Sequence, residues 1–155
     1  MENRRTEAVP KMEDLIPLIT ERLAAGQEVR FSPRGTSMLP MLRQGRDSVV
    51  LAAPPAQLKQ YDIPLYRRDD GKYVLHRVIR VGKTYTCMGD HQFEEEPDIR
   101  HDQIIGVVTA FYRDERAVAV TSAGYRLYCR LWYHSRVLRR AARKIRGRLK
   151  QIAKK

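Results

Sequence analysis

Ser37 lies in a segment whose composition suits a reactive hydroxyl. The segment reads Pro33-Arg34-Gly35-Thr36-Ser37-Met38-Leu39-Pro40. A serine held between glycine and proline lies in a tight turn that can expose the hydroxyl and point backbone N–H groups at one spot. We therefore predict a serine nucleophile beside an oxyanion hole, supported by Gly35, Thr36 and Met38. The motif alone is weak evidence, because most serines beside glycine and proline only lie in loops.

His76 is the residue that could activate such a serine. A serine hydroxyl is a poor nucleophile unless a nearby base takes its proton, and an ordinary histidine, with a pKa of about 6.5, is mostly neutral at pH 7. The ring also needs an acceptor that fixes its tautomer, usually a carboxylate. Asp90 is the first candidate for that acceptor, although a residue beside Gly89 could equally serve only in a turn. Without Ser37, His76 would be interpreted as a packed core histidine.

Four motifs in order resemble those of the signal peptidase and LexA superfamily of serine peptidases. The family places its nucleophile in Ser-Met-x-Pro, followed by Gly-Asp and an apolar strand. Two later motifs are a Gly-Asp-Ile-Val segment leading to the base and a closing Gly-x-Val strand. The corresponding segments here are Ser37-Met38-Leu39-Pro40, Gly45-Arg46-Asp47, Tyr61-Asp62-Ile63-Pro64 and Gly106-Val107-Val108. The extra Arg46, and Tyr61 in place of glycine, depart from the pattern.

The base and its partner are assigned through the same resemblance. Bacterial signal peptidases and LexA-like repressors use a lysine, whereas the endoplasmic-reticulum and archaeal type has histidine in a Val-His-Arg-Val segment. Leu75-His76-Arg77-Val78 resembles the histidine branch. Cys87-Met88-Gly89-Asp90-His91 resembles the family's Gly-Asp-Asn-Asn segment. The histidine branch carries further acidic residues about six positions after that aspartate, and Glu96 stands at this offset from Asp90. We rank Asp90 above Glu96 as the orienting acid because the branch has aspartate there.

The resemblance implies a serine endopeptidase that cleaves leader or signal-type peptides after small residues. The implied partner is a peptide or protein precursor, and neither a metal ion nor an organic cofactor is required. His91 and His101 lie ten residues apart without further ligands at metal-site spacing. The alternative function is a non-catalytic relative that keeps the fold as a peptide-binding or regulatory module.

The elements that must position these residues form one mainly β domain. Short runs rich in Val, Ile and Tyr, separated by Pro, Gly and Asp, predict a signal-peptidase-like β domain over residues 29–120. Helical spacing predicts a short helix within residues 1–28, and residues 121–155 have the pattern of a basic amphipathic helix. LexA-like repressors cleave themselves at an Ala-Gly bond, but we interpret Gly26 of Ala25-Gly26 as a helix cap because this bond is too close to Ser37.

The net charge of +12 comes from the C-terminal segment. Residues 121–155 contain twelve Lys and Arg and no Asp or Glu, so the preceding residues are balanced at eighteen of each sign. Any anionic partner is therefore implied by this segment rather than by the β domain. The two cysteines, Cys87 and Cys129, lack metal-ligand spacing and cannot make a disulfide framework, which favours free thiols in a reducing compartment.

Three interpretations of the basic segment stay open. Its apolar stripe, which includes Leu131, Leu138, Ile145 and Ile152, could pack on the β domain. Alternatively residues 125–155 could lie on an anionic membrane surface, with Tyr125, Tyr128, Trp132 and Tyr133 as interfacial aromatics. Nucleic-acid binding is the weakest interpretation, because no base-reading module accompanies the charge. We expect a cytoplasmic protein, or a peripheral one at the inner face of the membrane, with neither a signal peptide nor a transmembrane helix.

Overall fold

A computed structural model describes residues 11–152, with side chains described up to residue 149. Nine strands and three α-helices are found there, so the prediction of a mainly β protein with helices at both ends is confirmed. The elements are α1 (Met12–Ala24), β1 (Val29–Phe31), β2 (Asp47–Ala52), β3 (Pro64–Arg67), β4 (Tyr73–Leu75), β5 (Arg77–Val81), β6 (Tyr85–Met88), β7 (Glu96–Ile99), a 3₁₀ turn (His101–Gln103), β8 (Ile104–Arg113), β9 (Arg116–Ala119), α2 (Ala123–His134) and α3 (Arg136–Ile152).

The strands form two antiparallel sheets. The larger sheet has the order β1-β2-β8-β3-β4, with β9 added beside β8, and the smaller has the order β5-β6-β7. A single apolar run, Tyr73–Ile79, supplies strands to both sheets: β4 pairs with β3, and β5 pairs with β6. His76 is the residue between β4 and β5, so the chain changes sheets at the predicted base.

The helices at the two ends pack on the same core. Ile19 and Leu23 of α1 and Tyr125 and Cys129 of α2 join a buried cluster with the larger sheet. Gly26, at φ 72°, follows the end of α1, where its N–H donates to the carbonyl of Leu23. This is the left-handed conformation that favours glycine past a helix end, and the prediction of a helix cap is confirmed.

The C-terminal segment contacts the domain through its aromatic face rather than its apolar stripe. Tyr125 is buried, and Tyr128 stacks on Trp132 with ring centroids 5.8 Å apart. Leu131, Leu138 and Ile145 are exposed, Leu138 to 74%. The interpretation in which the stripe packs on the domain is therefore wrong for these residues, and Tyr125 is not free to anchor in a membrane. The side chain of Ile152 lies outside the described residues.

Over the described part of the chain, no helix is both long enough and apolar enough to cross a lipid bilayer.

Candidate active site

His76 lies at the junction of the two sheets with its side chain 2% exposed. Its Nδ1 lies 2.9 Å from Oε1 of Glu96, the first residue of β7. A carboxylate at this nitrogen fixes the tautomer with the proton on Nδ1, so Nε2 is left as the basic nitrogen. The pair therefore has the arrangement that a histidine base requires.

Two further side chains hold the Glu96 carboxylate. The Tyr66 hydroxyl donates to Oε2 at 2.8 Å, and Nε of Arg68 donates to the same oxygen at 2.8 Å. Arg68 Nη2 also contacts Oε1, which makes the guanidinium contact bidentate. Both residues come from β3 and the turn after it, so the larger sheet orients an acid that belongs to the smaller one.

The electrostatics keep Glu96 ionised. Burial would raise the pKa of this carboxyl, but the hydrogen bonds from His76, Arg68 and Tyr66 outweigh burial and hold the pKa well below its usual range. Burial raises the pKa of Tyr66, helped by the nearby Cys87 and Glu96, so its hydroxyl stays a donor. A permanently charged carboxylate can stabilise an imidazolium that forms during a reaction.

Ser37 lies in the loop between β1 and β2 and packs against Gly89. Its carbonyl accepts the N–H of His91 at 2.8 Å. A Cβ added at Gly89 would lie only 2.7 Å from the Ser37 carbonyl oxygen and 3.1 Å from its Cβ. The β5–β6 register pairs Arg77 with Met88, so one step further brings His76 level with Gly89. Ser37 and His76 thus approach the same glycine, and within the described structure no hydrogen bond joins their side chains.

The predicted supporting residues have different roles. Gly35 has φ 91°, which favours glycine, and its N–H donates to Oε1 of Gln44 at 2.8 Å, so it is not available to an oxyanion. Thr36 is exposed, whereas Met38 is buried. Among the described residues, the N–H groups of Ser37 and Met38 have no acceptor. These two groups can therefore serve as the oxyanion donors.

Asp90 does not contact His76, and ranking it above Glu96 was wrong. Its two carboxylate oxygens accept hydrogen bonds from Nε and Nη2 of Arg77, both at 2.7 Å. Arg77 also donates to the Tyr125 hydroxyl at 2.8 Å, and Trp132 donates to the Asp90 carbonyl at 2.9 Å. Asp90 therefore belongs to a buried ion pair that holds α2.

Side-chain alternation explains why Glu96 and not Asp90 meets the histidine. In an antiparallel sheet successive side chains point to opposite faces, and residues directly opposite share a face. Gly89 is level with His76, and Glu96 pairs with Cys87, two residues before Gly89. Asp90 is one residue further on, so it shares a face with Arg77. The register between β5, β6 and β7 is the signal that could have found the correct acid.

Both departures from the family motifs are accommodated locally. The extra Arg46 donates to the buried Asp47 carboxylate, which also accepts the N–H of Arg43 at 2.9 Å. Burial would raise the pKa of Asp47, but these hydrogen bonds lower it. Tyr61 has φ 78°, a conformation that glycine adopts more easily, and its ring lies edge-on to Tyr133 at 6.0 Å.

A cleft of about 350 Å³ reaches Ser37 from the side of α1. Its walls are mainly apolar and come from α1, the ends of β1, β3 and β4, and the Ser37 loop. The apolar lining includes Met12, Leu15, Phe31, Met38, Leu65 and Leu75. Ser37 is one of the lining residues, so a chain lying in this cleft would pass the serine.

The remaining polar candidates form no second centre. No group of three His, Cys, Asp or Glu side chains within the described residues could hold a metal ion. His91 and His101 are both exposed. Cys87 and Cys129 are free and buried, and burial raises the pKa of Cys87 to about 12. Neither thiol is poised as a nucleophile.

No model of a known protein family matches the sequence, and a search of curated proteins finds no significant relative.

Proposed function

We propose that the protein is a serine endopeptidase in which Ser37 is the nucleophile, His76 the general base and Glu96 the acid that orients it. The observation that carries the proposal is the 2.9 Å contact between Nδ1 of the buried His76 and Oε1 of Glu96. Hydrogen bonds from Tyr66 and Arg68 hold this carboxylate ionised. A histidine that only packs in a core has no need of a charged acceptor fixed by two further donors.

The reaction follows from these positions. Ser37 Oγ attacks the peptide carbonyl carbon and gives its proton to Nε2 of His76. Glu96 stabilises the resulting imidazolium, and the N–H groups of Ser37 and Met38 bind the oxyanion. His76 then protonates the leaving amine as the C–N bond breaks. Water hydrolyses the acyl-enzyme by the same steps and regenerates Ser37.

The substrate is an extended peptide bound in the apolar cleft. The cleft beside Ser37 supports the binding of apolar side chains near the cut, and the resemblance to the histidine branch of signal peptidases supports a leader or signal-type precursor with small residues just before it. The enzyme works in the cytoplasm or peripherally at the inner face of the membrane.

A leader-peptide panel tests the proposal. We expect Ser37→Ala and His76→Gln to lose at least about 10³-fold in kcat/KM, while Ser122→Ala, at the start of α2 and outside the cleft, retains activity. A covalent serine-directed probe followed by mass spectrometry should modify Ser37 in the parent chain. Fluorescence of Trp132, the only tryptophan, checks that each variant is folded.

The second candidate is a non-catalytic peptide-binding module, which the missing Ser37–His76 hydrogen bond favours. Catalytic hydrogen bonds often tighten only when substrate binds, so the lack of this hydrogen bond is compatible with an enzyme. Panel peptides that bind but stay intact, together with an unmodified Ser37, would establish the binding module.

A further inference from the structure

One side of the C-terminal helices carries a line of exposed aliphatic residues. We call Leu127, Leu131, Leu138, Ile145 and Leu149 the outer face; each is more than half exposed. Within each helix, spacings of four and seven residues place these side chains within about 40° around the axis. At the junction of α2 and α3 the Trp132 carbonyl accepts hydrogen bonds from the Ser135 and Arg139 side chains, so the outer face has one part on each helix.

The opposite side of these helices is already occupied by the β domain. Trp132 Nε1 donates to the Asp90 carbonyl at 2.9 Å, and Arg139 donates to the same oxygen at 3.2 Å. Arg136 forms an ion pair with Glu95 at 2.6 Å. Because this side is held by the loop between β6 and β7, the helices cannot turn the outer face inward without breaking those contacts.

Exposed cations border the outer face. Arg126 and Arg130 flank it on α2, and Lys144, Arg146 and Arg148 flank it on α3. No Asp or Glu occurs anywhere in residues 121–155 to neutralise them. A partner must therefore accept aliphatic side chains along its centre and offer negative charge at the borders.

We propose that the outer face binds the surface of an anionic lipid bilayer, with the helices parallel to the membrane plane. Leu and Ile enter the acyl boundary, and the Arg and Lys side chains contact lipid phosphates. A nucleic acid would satisfy the cations but not a central line of five aliphatic side chains. The inner contacts persist in this orientation, so the helices lie between the bilayer and the loop that precedes Glu96. Binding through the outer face does not depend on catalysis.

Co-sedimentation of the full chain with vesicles tests the proposal. We expect binding to vesicles of phosphatidylcholine with one quarter phosphatidylglycerol, and at least about tenfold weaker binding to phosphatidylcholine alone. Leu131→Gln/Leu138→Gln/Ile145→Gln keeps the net charge and should weaken binding to the anionic vesicles at least about tenfold. Arg126→Gln/Arg130→Gln/Lys144→Gln should reduce binding and its salt sensitivity.

Matched controls test whether vesicle binding comes from the outer face. Leu18→Gln alters a leucine that is 50% exposed on α1 and should bind like the parent chain. Ser37→Ala should also bind normally, so loss of the peptidase proposal leaves this one standing. Equal binding by the parent chain and the outer-face triple variant would overturn the proposal. So would binding to duplex DNA or RNA without binding to anionic vesicles.

Discussion

Two neighbouring residues of one chain segment take part in opposite kinds of polar network. His76 meets Glu96 on one face of the small sheet, and among the described residues no hydrogen bond occupies its Nε2. Arg77 meets Asp90 on the other face, where every group is buried and committed to Tyr125 or other partners of α2. Both networks contain a carboxylate, half-buried in Glu96 and buried in Asp90, but only the first leaves a reactive atom unpaired. The incompletely satisfied network is therefore the candidate for chemistry, whereas the complete one builds the fold.

Among the substitutions that compare the two networks, replacing Glu96 should lower kcat the most. In Glu96→Gln the amide can present its N–H to Nδ1 of His76 and favour the wrong tautomer, so we expect kcat to fall about 10³- to 10⁴-fold with KM nearly unchanged. Glu95→Gln is the matched control, because Glu95 pairs with Arg80 and Arg136 at the surface and should change kcat less than about threefold. Equal losses in the two variants would remove Glu96 from the catalytic network.

Breaking the second network should cost stability instead. Arg77→Met leaves the Asp90 carboxylate buried without a counter-charge, and we expect the free energy of unfolding to fall by about 3–5 kcal/mol in urea denaturation. Arg80→Met lies on the same strand with its side chain 54% exposed, and should cost less than about 1 kcal/mol.

The double variant Arg77→Met/Asp90→Asn sharpens this result. It should recover part of the loss, because no unpaired charge then remains buried. Folded Arg77→Met should keep kcat within about tenfold of the parent chain, as its network touches neither Ser37 nor His76. A larger loss of kcat than in Glu96→Gln would reverse the roles assigned to the two faces.

Gly89 links the two networks, and filling its space should disturb both to a smaller extent. The added methyl group in Gly89→Ala would meet the Ser37 carbonyl at 2.7 Å, so the Ser37 loop or β6 must shift. We expect about 1–3 kcal/mol of lost stability and a lower kcat. Gly124→Ala meets open space in α2 and should stabilise the protein by up to about 1 kcal/mol. Unchanged stability and kcat in Gly89→Ala would show that Ser37 does not need this close approach.

The strands and the polar residues near the site could be predicted from local patterns, because alternation and turn residues act over a few positions. The choice between Asp90 and Glu96 could not, since it depends on which residue of β6 lies level with His76 and on β7, a strand that its sequence Glu96-Pro97-Asp98-Ile99 does not suggest. Tyr66 also had no local signal, because its partner Glu96 is thirty residues away.

The orientation of the C-terminal helices was likewise set by distant contacts. Packing of the aliphatic stripe on the domain was one of three interpretations, but Tyr125 and Cys129 meet Arg77, and Trp132 meets Asp90, across 42 to 52 residues of chain. The hydrogen bonds to the buried Arg77 guanidinium and to the Asp90 carbonyl therefore set the orientation of the helices, rather than the burial of the leucines. Periodicity identifies a face but does not say what covers it.

Acid pH should reveal the Glu96 network through stability alone. The pKa of Glu96 is lowered in the folded protein, whereas an unfolded glutamate has a pKa of about 4.3. The contribution of Glu96 to the free energy of unfolding is therefore complete above about pH 5 and is lost as pH falls, because the unfolded state then binds the proton first.

Between pH 5 and pH 3 the stability advantage of the parent chain over Glu96→Gln should shrink, by at most about 1.4 kcal/mol per pH unit. Other carboxyls, including Asp47 and Glu95, titrate in both chains and cancel in this difference. Urea denaturation followed by Trp132 fluorescence measures it, and a difference that stays constant down to pH 3 would mean that Glu96 is not held ionised by His76, Arg68 and Tyr66.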